Sequence, residues 1–390
     1  MIKVCREEDC CGCNACYTIC PKNCIQICID RKGFAYPVVD KTHCIECGRC
    51  EEVCPIQNRA ESNDPLRILG AVNQDHKIRQ ESSSGGSFFE LAAQTIANGG
   101  IVYGCALNAD MVACHIGIES ILELKKLKGS KYVQSNIGDT YKQAKEQLLA
   151  GRKVLFSGTP CQIAGLKNYL GKNYDNLLLV DVLCHGVPSP KMFADYLDYL
   201  SEKYKGKPVS VNFRNKRKGW KRLYFEVIFD NGKRYFTFSG YDPYMAMFLQ
   251  NISLRPSCYH CKFACEERQG DITLGDFWGI GRKYPQRDDD KGISLVLINS
   301  KKGEQVYNAI ADKFDVFESD IQTAKAGQRT LSAPTQKNQN HEKFYRLYAE
   351  KGIKEAIETT VKVPGVLKKA YYAVMRWALD VLRKILKKGY

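Results

Sequence analysis

The stretch KVLFSGTPCQIAGLKNYLGKNYDNLLLVDVLC, residues 153–184, decides the fold. Residues 153–157 are apolar enough for a buried strand, residues 161–171 carry apolar positions at helical spacing, and residues 176–183 are almost wholly apolar. Strand, helix and strand in this order form a crossover unit whose strands run parallel in one sheet. Cys161 follows the exit of the first strand and Cys184 the exit of the second. Parallel strands place their exits at one edge, where open α/β sheets gather ligands. The two cysteines are therefore expected to face one another.

Beyond this unit, VSVNFR and LYFEVIFDNGKRYFTF predict a β-rich segment with Asn231-Gly232 at a tight hairpin. SLRPSCYHCKFACEERQGDITLGDFWGIG (253–281) follows, with Cys258 and Cys261 as a two-ligand clip and Cys265 just beyond it. Thiolates from this clip, joined to Cys161 and Cys184, would suit an iron–sulfur cluster. The alternative is zinc, with His260 or His185 as a nitrogen ligand. Before the unit, ESSSGGSFFELAAQTIANGG (81–100) has a helical apolar stripe at 88, 89, 91, 92, 95 and 96, closed by Gly99 and Gly100. The serine–glycine loop opens that helix, and free backbone N–H groups there suit a phosphate. Cys105 and Cys114 lie on predicted strands as core residues.

The amino terminus carries a different chemistry. DCCGCNACYTICP (9–21) holds Cys10, Cys13, Cys16 and Cys20 in the pattern CxxCxxCxxxCP, and HCIECGRCEEVCP (43–55) repeats it with Cys44, Cys47, Cys50 and Cys54. Three thiolates at this spacing wrap one cubane cluster, and the cysteine before proline ligates the other cluster. One cluster would take Cys10, Cys13, Cys16 and Cys54; the second Cys44, Cys47, Cys50 and Cys20. Structural zinc knuckles use fewer cysteines. Cys5, Cys11, Cys24 and Cys28 fall outside the spacing and read as packing residues or spares, with Cys11 placed to compete with Cys10 as a ligand. The run resembles bacterial two-cluster ferredoxins over residues 1–58.

The motifs SSSGGSFFELA, KGSKYVQS, FSGTPCQIAGL, LCHGVPSP, FRNKRKGW and LRPSCYHCKF…GDITLGDFWGI, in this order over about 75–285, resemble the beta subunit of the coenzyme F420 hydrogenases and dehydrogenases. The resemblance implies a flavoprotein that exchanges electrons between 4Fe-4S clusters and a hydride carrier through FAD. It implies a third cluster on Cys161, Cys184, Cys258 and Cys261, with Cys265 outside the usual pattern. It places the flavin along Ser83, Ser84, Gly85 and Gly86, along Ser130, Lys131, Tyr132, Gln134 and Ser135, and at Gly158 and Thr159. Similar chains also occur among bacterial surface-polysaccharide genes. The physical argument agrees: clusters move one electron and hydride chemistry two, and flavin joins the modes.

The expected organisation is a two-cluster ferredoxin module (1–58), a linker (59–68) and a mixed α/β body that binds flavin and an iron–sulfur cluster. That body is read as a flavin-binding part (69–150) and a part with the third iron–sulfur site (151–330), followed by a helical tail (331–390). Within the tail, 365–388 reads as a basic amphipathic helix; residues 361–390 carry eight Lys/Arg against one acid, Asp380. Such a helix suits an anionic membrane surface. A second basic run, 203–222, suits an acidic electron-donor or electron-acceptor protein or a phosphorylated cofactor, or a solvated face. The net charge of +15 permits nucleic acid, but no motif asks for it. Without a signal peptide or an apolar run of about 18 residues, the chain is expected to be cytoplasmic, at most peripheral on the inner membrane face. The expected function is oxidoreductase electron transfer between ferredoxin-type clusters and a small redox substrate, or delivery of electrons to a separate catalytic partner. His185 and Asp276 are the nearest to a general acid, and no residue is assigned that role.

Overall fold

The structure, a computed structural model, describes residues 8–365. Cys5 and nearly all of the expected basic helix lie outside the described residues.

The described strands make three sheets. β1 (Ile25–Ile29) and β2 (Ala35–Val39) pair antiparallel between the two cysteine runs. The large sheet takes β3 (Arg67–Asn73), β4 (Ile101–Leu107), β5 (Ala113–Ile118), β6 (Val154–Gly158) and β7 (Leu177–Val182). A small antiparallel sheet, β8 (Pro208–Asn215), β9 (Tyr224–Phe229) and β10 (Arg234–Phe238), interrupts it in sequence. β11 (Ile272–Asp276), β12 (Ser294–Ile298) and β13 (Phe314–Glu318) then complete the large sheet, in the order β13-β3-β12-β11-β7-β6-β4-β5.

The predicted crossover unit is present: β6 and β7 pair in parallel, joined by the helix Pro160–Leu170. The Thr159–Gln162 capping box and Pro160 at the first turn start that helix, and left-handed Gly171 ends it. Successive strand residues face opposite sides. Val102, Leu155 and Leu178 meet the helix Ser87–Ala97 in one core. Ile101, Val154, Phe156 and Leu179 meet the helices Thr140–Leu149 and Pro160–Leu170 in another. An aromatic core joins the small sheet to the helices Pro190–Tyr204 and His341–Thr360.

β3, β11, β7, β6 and β4 all run the same way. Their exits share one edge, which therefore carries Asn73, Asp276, Cys184, Cys161 and Leu107 beside or just beyond the strand ends.

Two expectations about organisation change. The segment read as a linker is docked: β3 begins at Arg67, Asn63 bridges to Arg268, and Arg59 bonds Glu267 at 2.7 Å. The two parts divided at 150/151 share one sheet, because β4 pairs with β6 across that boundary. Local sequence cannot show pairing between distant strands, and so it suggested a division.

Candidate functional site

The two cysteine runs fold alike. Gly12 (φ 69°) and Glu46 (φ 53°) occupy the same place in their runs, as do Asn14 (φ 61°) and Gly48 (φ 74°). Two left-handed residues curl each run around a centre; Glu46 does so against the ordinary preference of a side chain with a Cβ. Short helices, Ala15–Ile19 and Arg49–Glu52, follow immediately and carry Cys16 and Cys50.

The thiols line two concavities. One is lined by Cys10, Cys13, Cys16 and Cys54, with Cys11. The other is lined by Cys20, Cys44, Cys47 and Cys50, with Cys24. The cysteine before proline in each run thus sits with the other run. Burial, with Cys10 and Cys54 beside it, pushes the Cys16 thiol up to about 12. A thiol raised in this way stays protonated until a metal displaces the proton, and the all-sulfur lining is the donor set of an iron–sulfur centre.

A third group forms at the sheet edge. Burial, then Cys161 and Cys261, pushes the Cys184 thiol up to about 12. Burial, then Cys184, Cys261 and Cys161, raises Cys258 well above the ordinary range. Burial and Cys161 take Cys261 to about 11. The four thiols act on one another, as the strand exits predicted for Cys161 and Cys184. Cys265 Sγ lies 3.4 Å from the Glu267 carbonyl and 3.6 Å from Arg59 Nη2, and its thiol also acts on Cys261. The nitrogen ligands considered for zinc are placed otherwise: His260 is exposed, and His185 Nε2 sits 2.7 Å from Asn251 Oδ1. Among the described residues no three His, Cys, Asp or Glu groups close on a point as a lone metal ion requires.

Cys11 packs against the core around Cys13 and Ala15, and Cys24 is buried, and both also lie among the thiols. Cys24 Sγ lies 3.4 Å from Cys20 Sγ. The Cys11 thiol interacts with both Cys13 and Cys161, between the first run and the sheet-edge group. Spacing alone gave no signal for Cys11; its adjacency to Cys10 was the only hint.

The three segments assigned to flavin by resemblance meet one another. Ser83 Oγ accepts from Ser130 N at 2.8 Å, and Gln162 Nε2 donates to Ser135 Oγ at 3.1 Å. Thr159 Oγ1 lies 3.2 Å from Cys161 Sγ. Gly86 (φ 103°) opens the helix Ser87–Ala97 with no side-chain cap, leaving its first amides to other acceptors. Gly85 permits close packing: a Cβ there would stand 2.2 Å from the Ala71 carbonyl oxygen. Gly158 ends β6 and hands the chain to Thr159.

Several of these side chains have internal duties. Lys131 Nζ donates to the carbonyls of Lys126, Leu127 and Lys128, at 3.0, 3.0 and 2.9 Å, and burial lowers it to about 8. Ser84 Oγ donates to the Ile293 carbonyl at 2.6 Å. Tyr132 stacks on Phe248 with centroids 4.7 Å apart. Gln134 Nε2 donates to the Cys11 carbonyl at 3.1 Å and so supports the first cysteine run. The basic run 203–222 is not one surface: Arg214 and Lys216 are buried, and Arg214 pairs with Asp276, which also accepts from Trp220 Nε1 at 2.8 Å.

Residues 37–57 match the model of a 4Fe-4S binding domain, and residues 151–323 match that of the carboxy-terminal part of the coenzyme F420 hydrogenase/dehydrogenase beta subunit. Over residues 151–323 the chain is similar to that beta-subunit family. This beta-subunit-like chain is 20% identical over 336 residues to the F subunit of the F(420)H(2) dehydrogenase from Methanosarcina mazei, covering 81% of this chain and 86% of the relative. A chain of the F420-reducing NiFe hydrogenase complex from Methanosarcina barkeri is similar at 16% identity and a TM-score of 0.45, covering 76% of this chain and 91% of that one. No described helix is long and apolar enough to cross a membrane.

Proposed function

We propose that the chain is an iron–sulfur flavoprotein subunit that carries single electrons between a protein partner and a hydride carrier of the deazaflavin type. The observation that carries this reading is the seating of the first cysteine run on the helix Pro160–Leu170, which carries Cys161: a Cβ on Gly165 would stand 2.9 Å from Cys13 Sγ, and Gln134 Nε2 donates to the Cys11 carbonyl at 3.1 Å. Cys10, Cys13, Cys16 and Cys54 hold one 4Fe-4S cluster, Cys20, Cys44, Cys47 and Cys50 a second, and Cys161, Cys184, Cys258 and Cys261 a third. All-sulfur donor sets ringing a volume favour clusters over zinc.

FAD is assigned to the loop Ser83–Gly86 and the segments that meet it. When bound, flavin joins one-electron to two-electron chemistry. The chain's part is to offer uncapped amides after Gly86 to phosphate and to hold the Thr159 turn beside Cys161. The Methanosarcina mazei relative, by name one subunit of an F420H2 dehydrogenase, supports protein partners and an F420-like substrate.

Anaerobic purification followed by an absorption spectrum tests the reading. Flavin bands over a broad cluster shoulder, bleached by reduced F420, are expected. Cluster absorption without flavin, and no response to reduced F420, would reduce the chain to a plain electron conduit. Colourless zinc protein would refute both.

A further inference from the structure

Arg255 is fully buried where the amino-terminal module meets the body. Its backbone frames the sheet-edge thiols: its N–H donates to the Val187 carbonyl at 2.8 Å, and its carbonyl accepts from Cys258 N at 2.9 Å. Its side chain reaches into the first cysteine run. Nε donates to the Cys10 carbonyl at 2.7 Å, Nη1 to Gln134 Oε1 at 2.9 Å, and Nη2 to the Ala35 carbonyl at 3.0 Å. The guanidinium lies over Tyr36, 4.3 Å from the ring centroid, and 5.4 Å from that of Phe34. Gly12 permits this approach, because a Cβ there would stand 2.8 Å from Nη1.

Every acceptor of Arg255 is neutral. The other deeply buried arginines, Arg79, Arg214 and Arg268, each meet a carboxylate, of Asp289, Asp276 and Asp181 respectively. A buried guanidinium left without a counter-charge is costly. Its side chain bonds the backbone of Cys10 and its own carbonyl holds the Cys258 N–H, so the unpaired charge sits between the first cysteine run and the sheet-edge thiols.

We propose that Arg255 is a shared counter-cation for the cluster on Cys10, Cys13, Cys16 and Cys54 and the cluster on Cys161, Cys184, Cys258 and Cys261. This rests on the reading that both thiol groups hold clusters. A fixed positive charge stabilises the reduced, more negative form of each neighbour and so raises both reduction potentials. The same side chain ties the two sites together, so that one centre loses a single electron and the adjoining one gains it, with no bond made or broken. The cluster on Cys20, Cys44, Cys47 and Cys50 lies outside its contacts and escapes its influence.

The test uses the full chain, purified anaerobically, as wild type, Arg255→Gln and Arg255→Lys. Iron and sulfide are assayed first, and reduction potentials are then read by titration followed with electron paramagnetic resonance. The Gln variant is expected to show two of three potentials shifted downward and the third unmoved, while the Lys variant stays close to wild type. Unmoved potentials, three equal shifts, or a Lys variant shifted as far as the Gln variant would overturn the proposal. If the Gln variant loses iron, the Lys variant decides alone: wild-type potentials support the charge, and a downward shift refutes it. Wild-type protein lacking iron and sulfide would instead defeat the cluster reading itself.

Discussion

Gly165 lies against Cys13 so closely that a Cβ on the glycine would stand 2.9 Å from the cysteine sulfur. The helix Pro160–Leu170 thus approaches the first cysteine run along a face with no side chain at the contact. Helix propensity alone makes Gly→Ala in a helix favourable by about 1 kcal/mol. Here the added methyl meets a sulfur and must push it aside, at a cost of about 1–3 kcal/mol. Gly165→Ala is expected to lower the thermal midpoint and to perturb the signal of one cluster in electron paramagnetic resonance. A higher midpoint with unchanged spectra would show that the contact is slack.

Cys161 is proposed as a ligand, whereas Cys11 beside it is not. Cys161→Ser should therefore remove about one third of the iron, roughly four of twelve atoms, and leave both ferredoxin-type signals in place. Cys11→Ser should keep the full iron content and alter only the line shapes of the neighbouring pair. Iron assay and spectra on both variants check this, and a loss of iron from Cys11→Ser would make it a ligand.

Lys216 gives a pH dependence. Its Nζ donates to the carbonyls of Lys291 and Ser84 at 2.8 and 2.9 Å, inside the body. Burial, then Arg214 and Arg79, lowers its pKa from 10.5 to about 7. Between those values the unfolded chain binds a proton that the folded chain releases, so stability rises with pH across that window. Lys216→Met should abolish this slope. Denaturant midpoints at about pH 7 and about pH 9.5 for both proteins isolate the effect, because the thiols are common to both; parallel slopes would contradict it.

Gly86 opens the proposed phosphate site at φ 103°, and a Cβ there would meet Asn73 Cβ at 3.0 Å. Gly86→Ala strains the backbone and turns the uncapped amides away, at a cost of about 1–2 kcal/mol. Flavin content per chain should fall while iron content holds. Equal flavin in variant and wild type would place the cofactor elsewhere.

Local patterns carried much of this. The apolar run ending at Val182 and the helix before it predicted two parallel strands, and with them the meeting of Cys161 and Cys184. The CxxC spacing marked both cysteine runs, because ligand geometry is encoded within a dozen residues. What local patterns hid was long-range. Arg214 and Lys216 read as part of a charged surface, yet Asp276 and three carbonyls draw them inside. Cys11 read as a spare, because its partner Cys161 lies in another part of the chain. Arg255 gave no sign at all, since only the docked module makes a neutral cage around it.

The central claim is that three all-cysteine sites hold clusters, two of them close enough to share an electron path. Electron paramagnetic resonance of the fully reduced, anaerobically prepared chain, calibrated against its iron and acid-labile sulfide, tests it most directly. The account predicts roughly twelve irons and as many sulfides, with spectra broadened by spin coupling between neighbouring centres. Zinc in place of iron, or iron in magnetically isolated clusters only, would contradict it.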